Sequence, residues 1–507
     1  MVLRLLHALR RRTLLLCVIS GLLLALSFPP YHLGFLAFFC LVPFLFALTK
    51  RQVEPSFGLG LVMGLALYGS TFFWIAWVTL PGALGAIGLL ALFLGLFTLI
   101  FHFVLRRFGS IALWAFPFFW TAMEYLRSLG QLGFPWTSIC YSQTEYLPLI
   151  QFASLTGPYG VSFWLASINA LIFWSLSRWR RGKYLLLLLI PLLLIPYVYG
   201  KEIIPKSSAS ADFKVALIQP NMGPDIKWDS KYIEQNFEVL IDMTRQIRQQ
   251  QPDLIIWPET ATPCYLMKQR EYHQRVRDLV EELGVPLLTG SPDYSYRGDE
   301  EYEYYNSAFF FVPQNPHVQG YSKMQLVPFS EKIPYDEKIS LLRKINFGEA
   351  DFTPGRDHTI FQHPRARFAV LICFESIFAQ LAREFHLGGA DFLVVITNDG
   401  WFGKTPAPYQ HAQISIFRAI ETRTSIARCA NTGVSMIIDP FGRVIHKTPI
   451  FVRQQVVANI SFSRQGTFYS RRGEWLSRTC VVVAGLFLIL AALQRKKERP
   501  KIVQESR

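Results

Sequence analysis

Three stretches of the sequence set a reactive side chain at or just beyond an apolar run: Glu259 in LIIWPE, Lys323 in GYSKMQLVPFSE and Cys373 in AVLICFE. Such runs read as buried strands, and a polar group at a strand end stands where the sheet meets a cleft. Cysteine is the best protein nucleophile near neutral pH once a neighbouring cation or base favours its thiolate. A carboxylate beside it can take the thiol proton and later return it to a leaving group. Each residue also has a plainer reading. Cys373 can be a buried structural thiol, Glu259 can close a turn after Trp257-Pro258, and Lys323 can be a solvated charge. Spacing alone does not bring the three together. Other chemistries lack their signatures: there is no GxSxG elbow, no HExxH or paired CxxC, and no P-loop or strand-following GxGxxG.

The elements that must position these groups lie between about residues 212 and 470. Short β-branched runs at 214–219, 254–257, 286–289, 308–312, 369–373, 392–397 and 435–439 predict strands buried on both faces. Helical patterns fall at 232–250, 269–283 and 410–428. Strands alternating with helices predict an α/β layered domain, and residues 201–211 read as the linker leading into it.

The rest of the chain is of another kind. Of 507 residues, 51% are apolar and only 17% charged, against roughly 25% charged in soluble domains. Apolar runs at 13–28, 33–49, 57–78, 82–105, 111–126, 160–176, 184–199 and 476–493 predict eight membrane spans. The formal net charge of +15 does not point to nucleic acid. Eighteen Lys and Arg residues, with only Glu54, Glu498 and Glu505 against them, sit in segments flanking these runs and account for all of it. With the N-terminus in the cytoplasm, all eighteen fall on the cytoplasmic side, while the opposite loops 29–32, 79–81 and 128–159 contain no Lys or Arg. Arg127, at the edge of the fifth span, is the nearest exception. This orientation places 202–475 outside the cytoplasm, in the periplasm of a bacterium. Within the spans, Gly60 and Gly64 predict close helix packing. Glu124 is a functional candidate, although an i,i+3 pair with Arg127 accounts for it as well. Of seven cysteines, Cys264, Cys373 and Cys429 lie in the exported domain. Nothing demands a Cys264–Cys429 bridge, and unpaired thiols are expected.

The Pro-Glu-Thr after LIIW, the Lys-x-x-Leu-Val-Pro-Phe-x-Glu and the Ile-Cys-x-Glu resemble the nitrilase, or carbon–nitrogen hydrolase, superfamily. Segments 352–355 (FTPG), 397–402 (TNDGWF) and 423–433 (RTSIARCANTG) match it too. Seven spans before the domain, one after it, and GFPW at 133–136 make the chain similar to the membrane-bound branch, the apolipoprotein N-acyltransferases. The resemblance implies an αββα sandwich on an eight-helix platform and a triad of Glu259, Lys323 and Cys373. It further implies Glu331 as a second carboxylate, the Phe374 backbone N–H as an oxyanion donor, and Trp228, Trp401, Glu375 and Asn306 around the substrate. The implied activity moves an acyl chain from a phospholipid to the α-amino group of a diacylglyceryl-cysteine at a lipoprotein N-terminus, with no metal or organic cofactor and no nucleic acid. A tethered amidase using water as acceptor is the enzymatic alternative, and a transporter or receptor with a binding domain is the alternative from another class. Two positions depart from the family pattern: Ser330 stands where Gly is common and Phe374 where Tyr is frequent.

Overall fold

The alternation of side chains along one strand already divides the extramembrane half into layers. In the computed structural model, which describes residues 2–49, 56–206, 213–223, 230–298, 301–338, 351–462 and 466–494, strand β1 (Phe213–Gln219) sends Phe213, Val215 and Leu217 into one core and Ala216 and Ile218 into another. Residues two apart share a sheet face, so this strand is covered on both sides.

The first half of the domain adds β2 (Leu254–Ile256), β3 (Leu287–Gly298), β4 (Glu301–Val312) and β5 (Asn315–Ser322). The second half supplies β6 (Phe361–His363), β7 (Ala366–Ile372), β8 (Phe392–Thr397), β9 (Ser425–Ala430), β10 (Met436–Ile438), β11 (Val444–Lys447) and β12 (Gln454–Ile460). They form two six-stranded mixed sheets, ordered β12-β1-β2-β3-β4-β5 and β11-β10-β9-β8-β7-β6. In each the three central strands are parallel: β1, β2 and β3 in one, β7, β8 and β9 in the other.

The sheets pack face to face through aromatic rings. Phe213 lies 5.4 Å from Phe392, and Phe310 meets Phe368 edge-on at 5.1 Å. Helices Ile233–Gln246 and Arg270–Leu283 bury Phe237, Leu240, Val276 and Leu279 against the outer face of the first sheet. Helices Ala379–Leu387 and Ala407–Thr422 cover the second. The order helix, sheet, sheet, helix is the nitrilase-like arrangement expected. Five strands differ from the sequence reading: β5, β6, β11 and β12 carry no run assigned to them, and β9 falls within a helical pattern. The pattern at 410–428 breaks at Arg423, which adopts a left-handed φ of 55°, and the chain re-enters the sheet as β9. Fully buried strands carry no alternation to separate them from a buried helix.

Among the described residues, five stretches are long and apolar enough to cross a bilayer: Ser56–Trp77, Leu80–Leu126, Pro158–Ser177, Lys183–Ile203 and Trp475–Leu493. Eight were expected. The second runs for 47 residues, which as one straight helix would be about 70 Å, over twice the hydrocarbon core. It folds back instead: Gly109 takes a φ of 62°, and the ring pairs Phe97–Trp120 (5.6 Å) and Phe101–Phe116 (5.4 Å) lay its second half along its first. Two expected spans therefore share this hairpin. Those at 13–28 and 33–49 fall on helix Val2–Leu26 and on the shorter apolar segment Gly34–Thr49, outside the set of five. Helix Leu189–Ile203 also runs three residues into the expected linker.

Gly60 and Gly64 do serve close packing, since a Cβ at either would strike the backbone of helix Leu80–Phe108. Glu124 makes its hydrogen bonds elsewhere than to Arg127: Oε1 accepts from Trp120 Nε1 at 3.1 Å and from the Ile139 N–H at 2.8 Å, tying down the connection that carries GFPW. All seven cysteines are free.

Candidate active site

The chain leaving β2 is pinned before it reaches Glu259. The Trp257 indole donates to Thr244 Oγ1 at 2.9 Å, and the Gly290 N–H donates to the Pro258 carbonyl at 3.2 Å. Gly290 passes so closely that a Cβ there would lie 2.6 Å from the Thr260 nitrogen and 2.7 Å from Glu259 Cα. Only glycine allows that approach. Glu259 is then held from two sides: Asn306 Nδ2 donates to Oε1 at 2.8 Å and the Asn398 N–H to Oε2 at 2.7 Å.

Lys323 follows β5, and its own N–H donates to the Asn306 carbonyl at 2.8 Å. With a side chain 1% exposed, it places Nζ 2.8 Å from Glu331 Oε1 and 3.8 Å from Glu259 Oε1. Asn306 Nδ2 also lies 3.3 Å from Glu331 Oε1, and the Val327 N–H donates to Glu331 Oε2 at 2.9 Å. Two carboxylates thus share one ammonium and one amide. Burial works against the charge on Lys323, but Glu331 and Glu259 outweigh it and hold its pKa above the ordinary lysine value.

Cys373 is the first residue past β7 and opens the 3-10 turn Cys373–Ile377. Its φ of 52° lies in the left-handed region, which costs a non-glycine residue about 1–2 kcal/mol. Burial, and then the Glu259 carboxylate, push its thiol pKa up, while Lys323 pulls it down. The upward push wins, so the thiol keeps its proton at rest and needs a base to lose it.

Two further acids support this turn. Glu375 is fully buried; Oε1 accepts from Tyr321 Oη and the Met324 N–H, both at 2.7 Å, and Oε2 from the Ile372 N–H at 2.7 Å. It ties the chain after Lys323 to the strand end before Cys373. Burial pushes its pKa up to about 7 against the pull of these donors. Asp399 lies 2.8 Å from His411 Nδ1 and 3.0 Å from Arg428. Although burial opposes it, His411 and Arg428 hold Asp399 down at about 2.

The structure therefore gathers Glu259, Lys323, Glu331 and Asn306 by direct contact, with Cys373 within reach of their charges. Trp401 is 45% exposed on the turn Asp399–Phe402. Trp228 lies outside the described residues. Asp399, Arg428 and Trp136 fall in segments 397–402, 423–433 and 133–136, which match the family without assigning these residues roles, and nothing in the sequence marks His411. A lone histidine in an apolar helix carries no pattern of its own. Cys373, Asp399 and His411 present ligand atoms within 4.8 Å of one another, but the Asp399 carboxylate already faces His411 Nδ1 at 2.8 Å and accepts from Arg428, a cation, at 3.0 Å.

A thiol, a held carboxylate and a paired ammonium stand together at strand ends, and residues 214–468 match the carbon-nitrogen hydrolase family model. Residues 20–171 match the model of the apolipoprotein N-acyltransferase N-terminal domain. The apolipoprotein N-acyltransferase of Geobacter metallireducens is 36% identical over 508 residues, covering 97% of each chain. That of Chlorobaculum tepidum is 33% identical over 513 residues, covering 94% of this chain and 96% of its own. The chain belongs to the apolipoprotein N-acyltransferase family. Among solved structures, an amidase from Nesterenkonia sp. aligns at 18% identity with a TM-score of 0.40, covering 54% of this chain and 98% of its own.

Proposed function

We propose that this protein transfers an acyl chain from a membrane phospholipid to the α-amino group of the diacylglyceryl-cysteine that begins a bacterial apolipoprotein. The observation that carries the reading is the placement of Cys373, with Glu259 and Lys323 beside it, in a domain fused to helices that can cross a bilayer. Both substrates are lipids, and such helices hold the site where lipids enter from the side.

In the first half-reaction Glu259 takes the Cys373 proton, and the thiolate attacks the ester carbonyl of the phospholipid. The oxyanion is held by Lys323 and the Phe374 N–H; one such donor supplies about 3–4 kcal/mol in the transition state. Glu259 returns its proton to the departing lysophospholipid alkoxide, leaving a thioester on Cys373. In the second, the lipoprotein amine attacks the thioester, Glu259 accepts the amine proton, and the thiolate leaves as the amide forms. The amide is more stable than the thioester, so no ATP is needed. Glu331 keeps Lys323 charged, and Asn306 holds the two carboxylates. Trp228 and Trp401 are assigned to the substrate pocket.

The corresponding architecture is a platform of eight spans within residues 1–203 and 471–507, a linker that begins after helix Leu189–Ile203, and the catalytic domain at 212–470. The N-terminus lies in the cytoplasm and the domain on the periplasmic side of the inner membrane. Intact-mass measurement of detergent-purified protein incubated with phospholipid alone tests the chemistry. A gain of one acyl chain, labile to hydroxylamine and absent in Cys373→Ala, is expected. No gain, together with hydrolysis of a small amide, replaces this reading with a tethered amidase.

A further inference from the structure

The nucleophile's backbone is held through its carbonyl. His411 Nε2 lies 3.1 Å from the Cys373 carbonyl oxygen, and Ser376 Oγ lies 2.8 Å from the same oxygen and 3.0 Å from His411 Nε2. The imidazole is itself fixed on its other side. Its Nδ1 is 2.8 Å from Asp399 Oδ1, and Asp399 is held in turn by Arg428, which donates to Oδ2 at 3.0 Å. Over its face lies Trp136 of the membrane half, with ring centroids 5.0 Å apart and planes 24° apart. The Trp136 indole donates to Gln410 Oε1 at 3.1 Å, one residue before His411. Every one of these side chains is buried, and the reaction written above uses none of them.

A trans peptide unit is planar, with its C=O and N–H pointing to opposite sides. A clamp on the Cys373 carbonyl therefore fixes the direction of the Phe374 N–H, aiming it away from the Asp399–His411 side. The clamp also answers the strain at Cys373, whose left-handed backbone persists only if its surroundings impose it. We infer that His411, set by Asp399, Arg428 and Trp136, is a positioning residue that holds the Cys373–Phe374 peptide plane so that the Phe374 N–H meets the developing oxyanion. This rests on the acyl-enzyme reading of the site. It also gives the membrane half a part in acylation beyond delivering lipid, because Trp136 comes from the connection between two of its helices.

Two substitutions and two reagents test it on the full-length protein in detergent. Asn at 411 matches the Nδ1 side of imidazole and keeps a group for Asp399, but it stops short of the Cys373 carbonyl. Gln reaches the Nε2 position. Single-turnover acylation is followed by intact mass at several concentrations of phosphatidylethanolamine in mixed micelles. Alkylation of Cys373 by iodoacetamide is followed in parallel, since attack at a saturated carbon develops no oxyanion. In His411→Asn the limiting acylation rate should fall about 100-fold. Its half-saturating lipid concentration and its alkylation rate should stay within about twofold of wild type. His411→Gln should recover acylation to within about fivefold. Acylation by His411→Asn within about threefold of wild type overturns the inference. So does an equal loss of acylation and alkylation in both variants, which makes His411 a packing residue. If the wild-type protein itself takes up no acyl chain while still alkylating, the acyl-enzyme reading falls, and this inference with it.

Discussion

Lys323 Nζ is closer to Glu331 than to Glu259, at 2.8 Å against 3.8 Å, although both carboxylates accept from the same Asn306 amide. The tight pair favours a charged ammonium, and the looser contact fits the proton-transfer role proposed for Glu259. The two acids should respond differently to loss of charge. Glu331→Gln leaves a buried lysine without its nearest counter-ion, and breaking such a pair costs about 3–5 kcal/mol. A lower melting temperature and a loss of thioester formation are expected together. Glu259→Gln keeps the Lys323–Glu331 pair, so its melting temperature should change less while thioester formation falls about 10²–10⁴-fold. Thermal melts and acyl-enzyme yields on the same preparations decide this, and a Glu331→Gln protein that melts and acylates like wild type refutes the division of labour.

At the thiol, the charge of Glu259 and the base role proposed for it act with opposite signs. Its carboxylate raises the Cys373 pKa, second only to burial, so removing that charge makes the thiolate easier to form. Glu259→Gln should therefore shift the pH profile of iodoacetamide alkylation at Cys373 to lower pH even as acylation is lost. A profile displaced to higher pH, or not at all, means that Glu259 does not act on the thiol through its charge.

Gly290 offers a test by backbone alone. A methyl group at this position meets main-chain atoms of residues 259 and 260 at 2.6–2.7 Å, and backbone cannot swing aside as a long side chain can. Gly290→Ala should move Glu259 off its hydrogen bonds to Asn306 and Asn398 and lower the acylation rate about 10²-fold. The protein should still be inserted and folded, as judged by its melting transition. Acylation at the wild-type rate would falsify the claim that this approach sets the Glu259 position.

Much of this arrangement was legible in the sequence because it is written locally. Glu259 and Cys373 each follow an apolar run that becomes a strand, and strand ends are where a sheet presents chemistry; Lys323 also follows a strand, but one that is mostly polar and exposed, so no apolar run marks it. The strand runs and the helices at 232–250 and 269–283 were visible as period and composition. What escaped depends on distant partners. Strand β9 hides inside a helical pattern because its six residues are all buried. His411 acquires meaning only when helix Ala407–Thr422 brings it beneath the Cys373 carbonyl and a tryptophan 275 positions earlier lies over it. Lengths of apolar sequence also do not say where a chain turns, which is why one continuous 47-residue stretch holds two expected spans.

Glu375 should leave a signature in the pH dependence of stability. Its folded pKa of about 7 lies above the ordinary value of 4.5. The folded protein therefore binds the proton more tightly than the unfolded chain does. That contribution is fully present below about pH 4.5 and is lost as pH rises through about 7, a change of roughly 3 kcal/mol if no other group compensates. Glu375→Gln has no proton to release. It also turns an amide nitrogen toward one of the N–H donors of Ile372 or Met324, so it should be less stable than wild type at every pH. The slope is what identifies the titration: between pH 4.5 and 7.5 the melting temperature of wild type should fall relative to that of the variant, narrowing the gap between them. Melting curves in detergent across that range measure it. A constant gap means that Glu375 keeps one charge state throughout, with its four backbone and phenolic donors holding it as a carboxylate.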